Sequence, residues 1–230
     1  MTLNPKLDPT CVLCLPWGEA GGSTAYDQSQ YGNNGTIYGA VRTSGRPRWA
    51  LSFDGVYDYV QVPFSESINL KTEATIVGWY YFTGTQRGIS ANKEEHYRGF
   101  DYYPDTNIFE WDIGNGIGWL RIIRFTPSIT IPNRWVHVAS VINWVEGWGK
   151  LYFNGKLENT CTFAPGAVSG YQRDLFVGTF SPYRNFFTGL VGEVRIYSRA
   201  LSDKEIYTLY VYGLESLRKA PPLRGGGLEW

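Results

Sequence analysis

The chain has 230 residues, of which 43% are apolar and 17% aromatic, and its 21 basic and 21 acidic side chains give a net charge of zero. The balanced charge, with no basic run, argues against a nucleic-acid partner bound through phosphate contacts, and the aromatic content argues against a disordered chain. No apolar stretch approaches the roughly 18 residues of a membrane span, so membrane insertion is not expected. The first ten residues lack the apolar core of a signal peptide. The chain is therefore expected to be cytosolic or virus-encoded, or to be a domain of a longer secreted protein.

Three cysteines are the first candidates for chemistry. Cys11 and Cys14 have the CxxC spacing found in zinc and redox sites. A zinc site needs about four ligands, and the two histidines are isolated in sequence. The apolar run 11–15 predicts a strand, which would place the two thiols about 10 Å apart on opposite faces, too far for a disulfide. We therefore expect buried thiols or one long-range disulfide to Cys161.

Strand signals dominate the rest of the chain. Short runs rich in Val, Ile, Tyr, Phe and Trp alternate with Gly, Asn and Pro, which is typical of antiparallel strands. Asp54-Gly55 and Asn154-Gly155 favour the positive φ angles of tight turns and predict hairpins over 49–62 and 150–157. The predicted strands are 36–41, 50–53, 57–62, 74–82, 108–113, 119–124, 135–144, 150–153, 174–178 and 190–197.

One helix is predicted near the C-terminal end. Ser202 and Glu205 form a capping box, apolar residues at 206, 209 and 210 share one face, and Gly213 is expected to end the helix. Residues 214–230 contain Pro-Pro and Gly-Gly-Gly and are expected to be a flexible linker or tail outside a domain of residues 1–213. About ten strands and one short C-terminal helix predict an all-β, two-sheet antiparallel sandwich with jelly-roll topology.

The segment ALSFDGVYDYVQVP at residues 50–63 is the most specific pattern in the sequence. It is accompanied by four further segments, which are, in chain order, WGE at 17–19 with AYDQSQYGNNGT at 25–36, ATIVGW at 74–79, WVHVA at 135–139 with LYFNGK at 151–156, and GLVGEVRIYSRALS at 189–202. Together they resemble LamG-like (concanavalin A-like) jelly-roll domains over about residues 13 to 213. The resemblance implies the fold. It says less about function, because this fold hosts lectins, glycosidases, lyases, adhesion modules and spacers.

The same resemblance implies a possible metal site. Many such domains hold a structural calcium near the chain ends, bound by acidic side chains of the first and last strands and by the GNNGT turn, and calcium prefers six to eight oxygen ligands. Glu19 and Asn33 remain as candidate ligands, whereas Gly18 and Gly192 stand where the family has acidic residues. The expectation is either no cofactor or one structural calcium. The alternative is a loop closed by hydrogen bonds alone.

A second motif bears on catalysis. Glu110, Asp112 and Asn115 fall in a pattern that resembles the ExDxxE motif of laminarinase-like glycosidases, which need two carboxyl groups about 5.5 Å apart. On a strand Glu110 and Asp112 would share one face. Asn115 occupies the third carboxylate position, and an amide cannot act as the acid/base. We expect no catalytic residues of this type.

Aromatic side chains are the remaining candidates. Sugar rings have apolar faces that stack on Trp and Tyr, and their hydroxyls bond to polar neighbours. Mid-chain aromatic residues are placed to line a concave sheet or its rim, and a Trp flanked by two glycines is less easily explained by core packing. The alternative for each is a place in the sandwich core. The candidate ligand-binding residues are Tyr97, Tyr102, Trp111, Trp119 and Trp148.

These observations favour a non-catalytic binding or adhesion module. It would recognise a glycan or a protein surface, as part of an extracellular, cell-surface or virion protein. Two alternatives stay open. One is a glycoside hydrolase or lyase that uses Glu110 and Asp112, and the other is a structural or assembly domain without a ligand.

Overall fold

Antiparallel strands make up most of the described chain. The computed structural model describes residues 4–83, 92–93, 98–103, 106–115, 118–166, 168, 173–181 and 184–219. A 3-10 turn at Glu66–Ile68 and a C-terminal helix α1 (Asp203–Lys219) accompany the strands. In chain order the strands are β1 (Cys11–Leu15), β2 (Thr24–Ala25), β3 (Gly35–Tyr38), β4 (Val41–Ser44), β5 (Trp49–Asp54), β6 (Tyr59–Val62), β7 (Glu73–Phe82), β8 (Asn92–Lys93), β9 (Arg98–Tyr103), β10 (Ile108–Gly114), β11 (Trp119–Phe125), β12 (Trp135–Asn143), β13 (Trp148–Phe153), β14 (Lys156–Thr162), β15 (Leu175–Val177), β16 (Thr179–Ser181), β17 (Arg184–Phe186) and β18 (Thr188–Tyr197).

The strands form two layers around one core. Among the described residues, one layer is an eight-stranded sheet in the order β14-β13-β12-β7-β18-β5-β4, with β1 also paired to β18. Opposite it lie a five-stranded sheet, β2-β3-β6-β15-β8, and a three-stranded sheet, β11-β10-β9. The core takes side chains from all three, including Leu51, Val138, Val60, Val177 and Trp111. The predicted two-sheet antiparallel sandwich with a C-terminal helix is confirmed.

The centre of the large sheet is buried on both faces. In β7, Ile76 and Tyr80 face the main core, whereas Val77 belongs to a second apolar cluster with Ile206 and Leu209 of α1. The helix therefore covers the outer face of this sheet. A strand that is covered on both faces shows a continuous apolar run instead of alternation, which explains the unbroken run in β7.

A bulge in β18 lets two strands share one edge. β5 pairs with the first half of β18 and β1 with the second half, and the register shifts between Val191 and Val194. At the bulge, the carbonyl oxygen of Gly192 accepts a 2.5 Å hydrogen bond from the indole of Trp17. A Cβ on Gly192 would lie 1.9 Å from the carbonyl oxygen of Arg46. The glycine that replaces the family's acidic residue is therefore required by this close approach.

The two predicted hairpins have different outcomes. The hairpin over 150–157 is confirmed, because β13 pairs with β14 through a turn in which Asn154 and Gly155 have φ of 50° and 74°. The hairpin over 49–62 is wrong, because β5 belongs to the large sheet and β6 to the five-stranded sheet. Gly55 does turn the chain, with φ of 82°, but the turn carries it from one layer to the other. The carboxylate of Asp58 stabilises this connection between β5 and β6, because it accepts a 2.9 Å hydrogen bond from the amide of Asp54.

The helix prediction is correct in its start and wrong in its end. The capping box forms, because the Ser202 hydroxyl and amide each lie 2.9 Å from the Glu205 carboxylate. Gly213 does not terminate the helix, which continues to Lys219. Packing against the sheet instead explains the glycine at this position, because a Cβ there would lie 2.4 Å from Nε1 of Trp79. Of the predicted tail 214–230, residues 220–230 lie outside the described residues.

The prediction that the CxxC thiols lie on opposite faces is also wrong. β1 forms as predicted, but its register shifts between Cys11 and Leu13, so Cys11 and Cys14 both join the cluster beneath α1. Both thiols are buried and free, and Cys161 is free and half-buried. Burial raises the pKa of Cys11 to about 12.

Among the described residues, no helix has the length and apolar character to cross a membrane.

Candidate functional site

Two of the predicted ligand-binding aromatics lie in the core. Trp111 is fully buried, and its indole donates a 2.8 Å hydrogen bond to the hydroxyl of Ser140 on the large sheet. Tyr102 is 1% exposed, and its hydroxyl bonds to the Asn107 side chain at 2.9 Å. Both rings point from the three-stranded sheet into the sandwich. They offer no surface to a ligand, so the core alternative describes them.

The side chains of two further candidates lie outside the part of the chain that the structure describes. Tyr97 lies outside the described residues. Trp119 is the first residue of β11 and pairs with Gly114 of β10, and its side chain also lies outside what is described. Their predicted role in binding stays a prediction.

Trp148 is the predicted aromatic residue that reaches a surface. It is half-buried at the start of β13, beside Thr162 of β14. Its indole donates a 2.6 Å hydrogen bond to Glu146, which fixes the ring. A groove of about 300 Å³ lies against it, also lined by Lys150, Thr160, Cys161 and Gly149.

The two predicted calcium ligands are occupied by protein groups. One carboxylate oxygen of Glu19 accepts the amide of Tyr26 at 2.8 Å, and the other forms an ion pair with Arg42 at 3.3 Å. The side-chain oxygen of Asn33 accepts the hydroxyl of Ser65 at 2.6 Å. Each ligand candidate is therefore already held within its own hydrogen-bond network.

The carboxylate at the centre of the GNNGT turn is Asp27, which was not singled out in the sequence. One of its oxygens accepts the amides of Cys14 and Ser29, and the other accepts the Ser29 hydroxyl and the amide of Asn33, at 2.6–2.9 Å. The amide of Asp27 donates to Asn34 at 2.9 Å. Four donors that point at one carboxylate oppose a cation, because their partial positive charges would face the metal. The residues therefore do not fit calcium, and among the described residues no group of three acidic, His or Cys side chains forms a metal site.

The two carboxylates of the glycosidase-like motif share one face of β10, as predicted. Glu110 and Asp112 are 7% and 5% exposed, and Glu110 forms an ion pair with Arg124 of the neighbouring strand. Asn115 accepts the amide of Gly118 at 2.9 Å and closes a turn. A glycosidase needs a second carboxyl group that exchanges a proton, and the amide of Asn115 cannot supply it.

An exposed aromatic group lies on the outer face of the five-stranded sheet. Val60 of β6 points into the core, so Tyr59 points outward by strand alternation. Tyr59 pairs in register with Tyr38 of β3, and their rings stack with centroids 4.5 Å apart at 20°. Tyr57 follows at the end of the β5–β6 crossing. We call Tyr38, Tyr57 and Tyr59 the tyrosine surface.

The tyrosine surface is flanked by two buried rings. Phe176 of β15 lies 6.0 Å from Tyr59, and Phe186 of β17 lies 5.3 Å from Tyr57, both edge to face. The phenylalanines are 4% and 6% exposed, whereas Tyr38 and Tyr57 are 41% and 70% exposed. Two buried phenylalanine rings thus hold tyrosine rings that are accessible to a ligand.

Polar groups lie beside these rings. Thr36 and Gln61 are neighbours in register on the same face, and the Gln61 amide donates a 2.5 Å hydrogen bond to Asp174. A ring surface with adjoining hydrogen-bonding groups can receive a sugar, whose faces are apolar and whose edges carry hydroxyls. Sequence reasoning missed this site because Tyr38 and Tyr59 are brought together only by strand register.

The comparisons with known proteins agree with this fold. A sequence model for the concanavalin A-like lectin/glucanases superfamily matches residues 54–207. No curated protein sequence matches the chain. The chain is similar in structure to the binding domain of Paraclostridial Mosquitocidal Protein 1, with a TM-score of 0.68 and 17% identity over 87% of this chain and 52% of that one.

Two other solved structures carry a sugar. The botulinum neurotoxin serotype D ligand binding domain, in complex with N-acetylneuraminic acid, has a TM-score of 0.68 and 16% identity over 88% of this chain and 51% of that one. Domain 4 of AbnA, an extracellular GH43 arabinanase from Geobacillus stearothermophilus in complex with arabinotriose, has a TM-score of 0.69 and 19% identity over 87% of this chain and 98% of that one.

These matches differ in how much of each protein they cover. The chain spans about half the length of the toxin binding domains and nearly all of the arabinanase domain. At these identities the structural likeness shows the fold. Because the family model covers about two thirds of the sequence, the chain belongs to the concanavalin A-like lectin/glucanases superfamily.

Proposed function

We propose that this protein is a non-catalytic carbohydrate-binding module whose ligand lies across the tyrosine surface. The observation that carries the proposal is the stacked pair Tyr38–Tyr59, with Tyr57 beside it, on an outer sheet face. Soluble proteins seldom expose grouped aromatic rings without a partner. Rings with hydrogen-bonding neighbours suit a sugar better than they suit a fully apolar ligand.

The buried rings beside the tyrosine surface favour binding without rearrangement. Phe176 and Phe186 hold Tyr59 and Tyr57 by edge-to-face contacts. Such contacts contribute about 0.5–1.5 kcal/mol each beyond their buried area. A ligand would therefore meet a surface whose ring positions are already set, which lowers the ordering cost of binding.

Two further observations support a binding role over a catalytic one. The third position of the glycosidase-like motif is Asn115, and Glu110 is paired with Arg124. The structural relatives described above are binding domains, or a domain in complex with a sugar. Several belong to toxins or to an extracellular enzyme, which supports a place in an extracellular, cell-surface or virion protein.

The test is a broad glycan array with the wild-type chain, followed by affinity measurements on the Tyr38→Ala/Tyr59→Ala double variant. We expect the double variant to bind the selected glycan at least tenfold more weakly, because both stacking rings are lost. The matched control is Tyr207→Ala, since Tyr207 is an exposed tyrosine of α1 (53%) away from the sheet face. Equal binding by the double variant and the control would overturn the proposed site. If the wild-type chain binds no glycan on the array, the proposal is contradicted and a protein partner or an assembly role is favoured.

A further inference from the structure

The Trp148 groove opens on the opposite side of the sandwich from the tyrosine surface. A Cβ on Gly149 would lie 2.8 Å from Trp111 and 3.1 Å from Sγ of Cys161, so this position faces the core. The flanking residues Trp148 and Lys150 therefore point away from the core, across the outer face of the large sheet. The groove and the tyrosine surface cannot be two parts of one site.

The side chains of the groove are fixed by contacts outside it. The indole of Trp148 is anchored to Glu146. The Lys150 ammonium lies 5.8 Å from the Trp148 ring centroid and 3.2 Å from the carboxylate of Asp203, the first residue of α1. Asp203 also accepts the Tyr152 hydroxyl at 2.7 Å, and these two partners lower the pKa of its carboxyl. The indole and the ammonium thus hold defined positions.

The chemistry of the lining selects a class of ligand. A volume of about 300 Å³ is at the lower end of the roughly 300–1,000 Å³ of small-molecule sites. Trp148 supplies an apolar ring, and Thr160 and Thr162 supply hydroxyls that donate and accept. Beside the groove, the cations Lys150 and Arg121 are matched in number by the anions Asp203 and Glu146, so the groove offers no excess charge to a carboxylate. This combination suits one neutral sugar unit.

We propose that the Trp148 groove is a second sugar site, specific for a neutral sugar unit, and that one molecule binds two glycan chains at once. The proposal rests on the proposed function for its ligand class, but on different residues. A glycan held on the tyrosine surface and a glycan held in the groove would lie on opposite faces of the sandwich. The molecule would then cross-link glycans.

The test follows the indole signals of the nine tryptophans by NMR while arabinotriose, maltotriose, cellotriose and laminaritriose are added. The Trp148 signal is assigned by its loss in Trp148→Phe. In the Tyr38→Ala/Tyr59→Ala variant, which lacks the tyrosine surface, we expect at least one trisaccharide to shift the Trp148 signal in a saturable manner. Calorimetric titration in the same Tyr38→Ala/Tyr59→Ala background should show binding that is at least tenfold weaker after Trp148→Ala, and a smaller loss after Trp148→Phe, which retains a ring.

The outcomes separate the two proposals. If the wild-type chain binds sugar but the Trp148 signal does not shift, the second sugar site is wrong and the proposed function is unaffected. A shifted Trp148 signal together with unchanged binding by the double variant would support the groove and overturn the tyrosine surface. Stronger binding of sialyllactose than of the neutral trisaccharides in the groove would overturn the assigned ligand class. Beads coated with the bound sugar should be agglutinated by the wild-type chain and not by either single-site variant.

Discussion

Gly213 lies directly against the indole of Trp79, so closely that a Cβ on the glycine would be 2.4 Å from Nε1. The same indole stacks on Tyr210, almost one turn earlier in α1, with ring centroids 5.7 Å apart at 26°. Beyond the apolar contacts of Ile206 and Leu209, the helix therefore meets the sheet through the Tyr210 ring and one position without a side chain. This explains why a glycine is present inside the helix, where it costs about 1 kcal/mol relative to alanine.

The first prediction concerns this contact. Gly213→Ala should lower the free energy of unfolding by up to about 2 kcal/mol, because the overpacking cost of roughly 1–3 kcal/mol exceeds the gain of about 1 kcal/mol in helix propensity. Urea denaturation followed by tryptophan fluorescence measures the change. Gly21→Ala is the matched control, since a Cβ there would meet nothing within 4 Å. A stabilised Gly213→Ala variant would show that the helix does not pack on Trp79 as described.

The second prediction concerns the GNNGT turn. Asp27→Ala should lower the free energy of unfolding by at least 3 kcal/mol, because four donors lose their acceptor and a buried unsatisfied donor costs about 1–3 kcal/mol. Thermal melting with added calcium and with chelator should give the same midpoint for the wild-type chain. Glu19→Gln serves as the comparison and should cost less than Asp27→Ala, since its remaining side-chain oxygen can still accept the Tyr26 amide and only one ion pair is weakened. A midpoint that rises with calcium would contradict our interpretation of this turn.

The third prediction concerns pH. The Arg199 guanidinium beside Glu205 lowers the pKa of this carboxyl from 4.5 to about 2. A lowered pKa in the folded state means that the stabilisation is present above about pH 4.5 and is lost as the pH falls through 2. The difference in unfolding free energy between the wild-type chain and Glu205→Gln should therefore shrink as the pH falls from 5 to 2. A difference that stays constant over this range would rule out the ion pair as its source.

The fourth prediction concerns the thiols. Burial raises the pKa of Cys11 to about 12, that of Cys14 well above its usual range and that of Cys161 to about 11. Since the thiolate is the reactive form, iodoacetamide at pH 8 should modify the native chain slowly and the urea-unfolded chain rapidly at all three positions. Cys161, which is half-buried, should be the first to react in the native state. Mass spectrometry after timed quenching measures this order, and native labelling of Cys14 at the unfolded rate would refute it.

Most strand positions were predictable because β-branched and aromatic runs between turn residues define where a strand lies. Which strand it pairs with was less predictable. Asp54-Gly55 and Asn154-Gly155 have the same turn chemistry, yet one turn closes a hairpin and the other carries the chain between layers. Turn residues allow a reversal of direction, and the pairing partner is decided by contacts distant in sequence.

The candidate site was less predictable for the same reason. Trp111 and Tyr102 were chosen as aromatic residues in suitable segments, but strand alternation alone does not tell which face is the core. Tyr38 and Tyr59 are 21 positions apart in the sequence and stack only because β3 and β6 pair in one register. Trp148 was distinguished by its flanking glycines, one of which faces the core and leaves no room for a side chain.

The pairing of β1 with β18 has a consequence for how the chain reaches its fold. All five residues of β1 are buried, and their partner β18 is the last strand among the described residues. During synthesis the first apolar strand is therefore made well before the segment that pairs with it. Such a long-range contact forms slowly, and until it forms the strand presents unpaired backbone groups and an apolar surface that favour aggregation. Recovery of the protein from cells should depend on how well β1 is shielded during this interval.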